Sequence, residues 1–543
     1  MERRVLMPRS PSVPANAAAN AHSVKTERTP LLPNSRVSPL PSNESDDNND
    51  NAGSAQDLVS PRGLLQHARV RTAVIWLAAS GVLFLTNQLS TLPVGFFPAY
   101  ARQAFGMTPA QLSLFFALYP LCIMMSSPLA AAVSLAVGRQ TVICVGLVVS
   151  GTTTVAFAYA SAVHALFALR VLQGLGAGAA VVGAFSMLSD EFSASVGTVL
   201  AVQELVVAAS FVSAPPIGSL LFQYQGYQLP FLASGVAQIL LVMLVPFLFI
   251  EYSLPDGLYG RGPVRRSGSF YFPSGKHDTV GFRDVLTPTC ALCLLATAFA
   301  MASFGFIDPY LGSHLQAVLG AQYVAVGLAF ALSALVYFLG GVAYLWLSRH
   351  VGCKRAILLG LLQLVVGFFL LGPPPFLNAL FRDGRALWAT QSLALALIGC
   401  GAALAIAPGL PLTLASVSAA GPQATNLVIG LFSAAIYLGQ ALGPFVALLL
   451  LAVLPQSNLP NCTVLEQDAS RPCKSALPWA FTTFALLAAA LLGFVAWKLP
   501  TGEATEEMLQ DKRKRFSLTR QASEYGQFVF FDEDECTDDD VGP

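Results

Sequence analysis

Three ionisable side chains stand in stretches of the 543-residue sequence that are otherwise apolar: Arg170, Glu204 and Asp308. A charge in hydrocarbon is costly, so such groups usually face a partner, a cavity or a proton path. Glu204 falls about eight residues into an apolar run that begins near Val196, roughly 12 Å along a helix axis and close to mid-bilayer. Withdrawing a carboxyl from water disfavours its ionised form. A group so placed can load a proton on one side of a membrane and release it on the other. The competing reading is a neutral Glu204 hydrogen-bonded to a neighbouring helix. Asp308, near the end of another apolar run, has three possible roles: attracting a cation, pairing with Arg170, or sitting at the wet interface.

Further polar groups lie inside apolar runs and are candidates to line a cavity: Asn87, Gln88, Ser90 and Thr91, flanked by Pro93 and Pro98, then Arg170 with Gln173, and more weakly Tyr337 and Gln391. Each alone is equally well a helix–helix hydrogen bond. Pro215–Pro216 removes two backbone donors in succession, which bends a helix and suits it to gating together with Gly218. Gly443–Pro444 is a fainter copy of the same device.

The elements that hold these residues follow from composition. Apolar residues make up 55% of the chain and charged ones 11%, less than half of what a soluble domain carries. About 20 apolar residues span a bilayer as a helix. The sequence predicts twelve such spans, near 72–100, 109–134, 140–160, 165–188, 196–222 and 228–251, then 286–311, 321–347, 354–372, 386–411, 424–454 and 477–499. The predicted organisation is a disordered tail over 1–71, a six-helix half over 72–251, a polar linker over 252–285, a second six-helix half over 286–499 and a disordered tail over 500–543. The first 70 residues lack the apolar core of a secretory signal.

Orientation follows from Lys and Arg in short loops. With the N-terminus in the cytosol, the cytosolic loops hold Arg139, Arg261, Arg265, Arg266, Lys276, Arg283, Arg349, Lys354 and Arg355. The opposite side holds only Arg102, Arg382, Arg385, Arg471 and Lys474, which favours cytosolic termini. The same topology places the sequon Asn461-Cys462-Thr463 on the non-cytosolic face, where Asn461 is a glycosylation site and Cys462 and Cys473 are a candidate disulfide. The sequon at Asn43 falls on the cytosolic side and is expected to stay bare.

Six helices, a basic linker and six more is the plan of the major facilitator superfamily, whose halves are related repeats with a site between them. Motifs strengthen the resemblance. Arg170-Val-Leu-Gln173-Gly174-Leu-Gly176-Ala-Gly178 is similar to the superfamily's fourth-helix motif. Ser213-Ala-Pro215-Pro216-Ile-Gly218 resembles the fifth-helix signature of its antiporters, with Ala214 where a glycine is usual. The loop signature between helices two and three is degenerate: Gly138-Arg139-Gln140 carries no acid. Ser186-Met-Leu-Ser-Asp190-Glu191-Phe192, Gln203-Glu204, Gly226-Tyr227-Gln-Leu-Pro230-Phe231 and Ile307-Asp308-Pro309-Tyr310-Leu311 look like the vesicular amine transporter family, most of all its polyamine branch. The resemblance covers roughly residues 72–499. It implies an all-α bundle of 12 membrane helices, secondary transport of a small organic solute, and protons as the coupling ion in an exchange into an acidic organelle. The chain also departs from the monoamine members. Thr86 and Ser433 stand where those members carry Asp, and the second helix has no lysine, so a monoamine is not the expected cargo. A uniporter or symporter of a non-cationic solute, or a non-transporting receptor, remain the alternatives on the same fold.

No nucleophile–base constellation, phosphate-binding loop or metal spacing occurs, so neither an enzyme nor an ATP-driven pump is expected, and no cofactor. The net charge is zero, so nothing draws the chain to nucleic acid. The expected partners are the lipid bilayer, a small-molecule substrate and protons. Glu27-Arg-Thr-Pro-Leu31-Leu32 resembles the acidic dileucine signals that clathrin adaptors read, which directs expectation to an endosomal, lysosomal, vacuolar or vesicle membrane, with the plasma membrane as alternative.

Overall fold

A computed structural model describes residues 68–192, 196–249, 286–372, 384–416, 421–455, 457–458 and 474–499. The dileucine residues Glu27, Leu31 and Leu32, and likewise Asn461, Cys462 and Cys473, lie outside the described residues. The helices are α1 (Ala68–Thr91), α2 (Phe97–Phe105), α3 (Pro109–Val137), α4 (Arg139–Phe157), α5 (Val163–Glu191), α6 (Val196–Gln225) and α7 (Gln228–Phe249). The second series is α8 (Pro288–Ile307), α9 (Leu311–Leu319), α10 (Tyr323–Val351), α11 (Cys353–Leu371), α12 (Gly384–Ile406), α13 (Gly409–Ser416), α14 (Gly421–Val453) and α15 (Leu477–Lys498). The strands among the described residues are a two-residue antiparallel pair, Ser457–Asn458 with Lys474–Ser475.

Helix is the element that satisfies every backbone group of an apolar segment internally, and in lipid no other partner exists. Among the described residues, eleven helices are long and apolar enough to cross a membrane. The remaining position of the twelve is filled by α7, whose shorter apolar stretch is Gln228–Met243. Two of the expected continuous spans are broken: the first divides into α1 and α2 around Pro93, and the tenth into α12 and α13 at Pro408; the seventh ends at Ile307, and the short α9 follows it after Pro309. Proline has no N–H to give the helix and its ring clashes with the preceding turn. By contrast, α6 runs unbroken through Pro215 and Pro216, as α14 does through Pro444.

The two halves repeat one another in detail. α2 and α9 are nine-residue helices ending in a left-handed glycine, Gly106 at φ 60° and Gly320 at φ 62°. At Gly146 a methyl group would stand 2.6 Å from the Gly176 carbonyl, and at Gly360 it would stand 2.6 Å from the Gly401 carbonyl. Thus α4 meets α5, and α11 meets α12, backbone to backbone, the close approach that small residues permit in lipid. In the degenerate loop ahead of α4, Arg139 Nη1 donates to the Ser186 carbonyl at 2.6 Å.

Between the halves, α3 packs on α14 and α6 on α10. Near the end of the bundle where α3 and α10 begin, the Tyr310 hydroxyl lies 2.7 Å from Ser113 Oγ and donates to the Pro109 carbonyl at 3.1 Å. Phe222 meets Tyr323 edge-on at 5.0 Å there. Nearer the middle, Gln440 Nε2 donates to Ser90 Oγ across the seam at 3.0 Å.

Candidate functional site

Arg170 is the largest of the fully buried side chains, at 1% exposure. One guanidinium nitrogen, Nη1, donates to Gln173 Oε1 at 2.7 Å and to the Leu89 carbonyl at 3.2 Å. Gln173 Nε2 passes the chain on to Thr154 Oγ1 at 2.7 Å. The charge also lies over two rings, 4.8 Å from the Phe115 centroid and 4.5 Å from that of Tyr119. Tyr119 is itself fixed, its hydroxyl donating to the Thr86 carbonyl. Placing an arginine in a span costs about 2.5–3.5 kcal/mol on insertion scales. Two desolvated cation–π contacts at up to about 2 kcal/mol each, plus hydrogen bonds to a charged donor at about 1.5–3 kcal/mol, offset that cost without an acid. Arg170 is therefore held by its own half of the protein. Its Nε and Nη2 remain unpartnered.

Asp308 follows the last turn of α8, its N–H closing on the Phe304 carbonyl. The residue is 6% exposed, and its carboxylate accepts no hydrogen bond from a described residue. Arg170 is within electrostatic reach of it but not in ion-pair contact. Asp308 is one of the residues lining a cavity between the halves. Thr91 of α1 and Pro215 of α6 line it from one half; Ser333 and Tyr337 of α10 and Gln440 of α14 line it from the other. Phe211, Met301, Phe304 and Phe330 make the rest of its wall largely apolar. One charged group among aromatic and apolar walls with a few polar atoms is the usual make-up of a small-molecule site.

Glu204 stands on the third turn of α6, and its side chain is exposed. It lies within electrostatic reach of Tyr337 and Tyr437 on the opposing half. Tyr337 also lines the Asp308 cavity, its ring held edge-to-face by Phe304 at 5.6 Å.

Of the polar groups singled out in the sequence, Asp308, Thr91, Tyr337 and Pro215 meet at the cavity. Arg170 and Gln173 lie in the network just described. Asn87 is buried and turned back on its own helix, donating to the Leu83 carbonyl at 2.9 Å, and Gln88 is buried nearby on α1. Gln391 is buried in the second half, where it donates to the Leu371 carbonyl at 3.2 Å. It sits by His314 of α9, outside the spans. Burial holds that imidazole down at about 4, against the opposing pull of the Leu371 carbonyl and the Gln391 side chain, so His314 is neutral at physiological pH. Gly218 lets α6 touch the end of α1: a methyl there would meet the Leu92 carbonyl at 2.3 Å. Gly443 does the same for α14 on α8, with the Ala302 carbonyl at 2.4 Å. Pro216 follows Pro215 in α6, and Pro444 follows Gly443 in α14. Sequence reasoning passed over Ser333, Gln440 and Tyr437. Gln440 had a visible signal, an amide between two glycines of an apolar run, whereas Ser333 and Tyr437 had none.

A two-half bundle of membrane helices with a cavity at the seam is the architecture of a membrane transporter. The family model for the Major Facilitator Superfamily matches residues 78–444, with a second match over 293–530, and the chain belongs to that superfamily. Among curated proteins, it is 27% identical to the mouse MFS-type transporter SLC18B1 over 362 residues, 64% of this chain and 74% of the relative. It is 26% identical to a probable vesicular acetylcholine transporter-B of Danio rerio over 297 residues, 51% of this chain and 55% of the relative. Its fold is similar to that of a bacterial homolog of the human lysosomal transporter Spinster in an inward-facing, unoccupied conformation. That structure has a TM-score of 0.55 and 17% identity, over 79% of this chain and 97% of the other. The fold is also similar to that of the nucleoside transporter NupG, with a TM-score of 0.55 and 13% identity, over 79% and 100%.

Proposed function

We propose that the chain exchanges protons for a small organic cation, moving the cation from the cytosol into an acidic vesicle-type compartment. The observation that carries this reading is the Asp308 carboxylate, which lines the inter-half cavity and accepts no hydrogen bond from a described residue. Arg170 Nη1 is bonded within its own half and the guanidinium makes no ion-pair contact with Asp308, which leaves the carboxylate available to a cation. Glu204 supplies a second carboxyl on the same route, as an exchanger needs if proton and cargo are to be carried alternately. The names of similar proteins, vesicular acetylcholine transporters, fit a vesicle membrane and an organic cation.

A second reading keeps the fold but carries a non-cationic solute by uniport or symport. Thr86 and Ser433 favour it, since two carboxylates of the monoamine members are missing there, and Thr86 spends its hydroxyl on the Val82 carbonyl at 2.7 Å. Uptake into proteoliposomes with an acidic interior separates the two. Saturable accumulation of organic ammonium ions that collapses with the pH gradient supports exchange. Accumulation of a sugar, nucleoside or anion instead, indifferent to the gradient, supports the second reading.

With cytosolic termini, the clasp of Tyr310 on Ser113 and Pro109 lies at the non-cytosolic end, and the state described is the one tied shut on that side. The topology is tested by electrophoretic mobility: removing the Asn461 sequon abolishes a glycan shift, and removing the Asn43 sequon changes nothing. A shift from the Asn43 change would reverse the orientation. Replacing Leu31 and Leu32 by Ala is expected to move most of the protein from endosomal or lysosomal membranes to the cell surface. Unchanged distribution on imaging would remove the adaptor from the account.

A further inference from the structure

The short helix α9 has the inter-half clasp at its head and a buried histidine one turn further on. Tyr310 is its N-cap residue, and the Tyr310 hydroxyl reaches Ser113 and the Pro109 carbonyl of the other half. The His314 N–H donates to the Tyr310 carbonyl at 3.0 Å, so imidazole and clasp share one turn of helix. His314 is 4% exposed, and its Nε2 has no hydrogen-bond partner. Three elements of the second half close around the ring. α15 sets Phe481 against it edge-on at 5.1 Å, and α11 ends beside it at the Leu371 carbonyl. α12 brings Gln391, which donates to that same carbonyl at 3.2 Å. None of these groups ionises. On the other elements around α9, Arg102 of α2 acts on Tyr310, and Tyr323 of α10 meets Phe222. Asp308, at the end of α8, acts on Arg170 rather than on the imidazole.

We propose that His314 is a proton-operated release for the clasp. The neutral imidazole keeps α9 seated. A proton taken from the non-cytosolic side unseats it, parts Tyr310 from Ser113 and Pro109, and opens the cavity to that side. The inference rests on the orientation with cytosolic termini and holds for any cargo. Its physical cause is burial: a charged imidazole is disfavoured in a niche that offers it no counter-charge, and moving α9 into water relieves the cost. The sign follows by linkage. The ring is held at about 4 in the clasped state and returns to its ordinary 6.5 once exposed. The clasped state therefore has its full stability above about 6.5 and loses it as the pH falls toward 4. From about pH 7 to about pH 5 the ratio of open to clasped molecules rises about twentyfold. His314 returns its proton to the side that supplied it, so it gates access without carrying protons across. An acidic compartment on the non-cytosolic side thus opens the protein toward itself.

The test measures the width of the clasped end in the full-length protein reconstituted into vesicles. Spin labels on p-acetylphenylalanine placed at Ala110 of α3 and at Gln322, just ahead of α10, leave the native cysteines untouched. Dipolar distances between them report a short, clasped population and a longer, open one. The expected result is a rise of about twentyfold in the open-to-clasped ratio between about pH 7 and about pH 5. His314→Gln cannot titrate there and is expected to cut the rise to about threefold or less. Phe481→Ala keeps the histidine but admits water to its niche, so the clasped state takes up the proton as well and the rise shrinks likewise. This second variant decides the matter where His314→Gln fails to fold. Glu204→Gln removes another titrating group, and the rise is expected to persist in it. An undiminished rise in His314→Gln or in Phe481→Ala, or no rise in the unaltered protein, would overturn the proposal. Cargo plays no part in this readout, so either result leaves the organic-cation reading to its own uptake test.

Discussion

Glu204→Gln is expected to abolish gradient-driven accumulation while leaving exchange of substrate across the membrane. The glutamine keeps the size and hydrogen-bonding capacity of a protonated glutamate but cannot release a proton. If the two access states no longer differ in proton binding, a pH difference has nothing to act on, because a ligand shifts an equilibrium only by its differential affinity for the two states. The cavity around Asp308 is untouched by the change, and α6 keeps its course through Pro215 and Pro216 to the clasped end. Counterflow is therefore expected near the wild-type rate. Accumulation against a gradient is expected to fall to the level of equilibration, a loss of tenfold or more where a difference of one pH unit had supplied about 1.4 kcal/mol. If Glu204 is only a structural group, glutamine serves as well and driven uptake persists. Reconstituted uptake with and without an imposed pH difference, run beside counterflow, distinguishes the two.

Asp308→Asn is expected to be more severe, removing both driven uptake and exchange. Asparagine keeps the shape but leaves the ammonium without its counter-charge and Arg170 without an acid within reach. Removing one member of a buried charge pair costs about 2–5 kcal/mol. That corresponds to a loss of roughly thirtyfold to several thousandfold in apparent affinity. The protein itself is expected to fold and reach the membrane, because Arg170 is held by Gln173, the Leu89 carbonyl and the rings of Phe115 and Tyr119. Normal abundance with no transport of any organic cation is the predicted pair of observations. An Asp308→Asn protein with unchanged substrate concentration dependence would exclude Asp308 from the site.

The membrane fold was legible because its signal is length: runs of about 20 apolar residues admit no other spanning element than a helix. The two-half plan was legible in the echo between Pro215–Pro216 and Gly443–Pro444, and the paired contacts Gly146–Gly176 and Gly360–Gly401 give it a physical form. The breaks at Pro93 and Pro408, and the short helix that follows Pro309, were not read, although the prolines were in view. Pro215, Pro216 and Pro444 lie in helices that continue, so proline alone does not say which spans divide. The rotational phase of each span was the larger loss. In a water-soluble helix the polar face marks the outside. In lipid both the outer face and the packed face are apolar, so nothing in the sequence distinguishes Ser333, which lines the cavity, from Ser150, which is buried away from it. For the same reason Asn87 and Gln391 read as cavity groups, whereas in the structure each donates to a backbone carbonyl. Arg170 was legible as anomalous, but its network with Gln173 and Thr154 depends on three helices meeting, which no single span encodes.

The account's central claim is that a cation entering at Asp308 is exchanged for protons. The most direct measurement is the internal pH of acid-loaded proteoliposomes carrying the full-length protein and a trapped pH indicator, after an organic ammonium ion is added outside. The account predicts alkalinisation several-fold faster than in protein-free vesicles. It also predicts that the protein-dependent part disappears in Asp308→Asn and is at least tenfold slower in Glu204→Gln. Cation uptake that proceeds with no protein-dependent change of internal pH would contradict it.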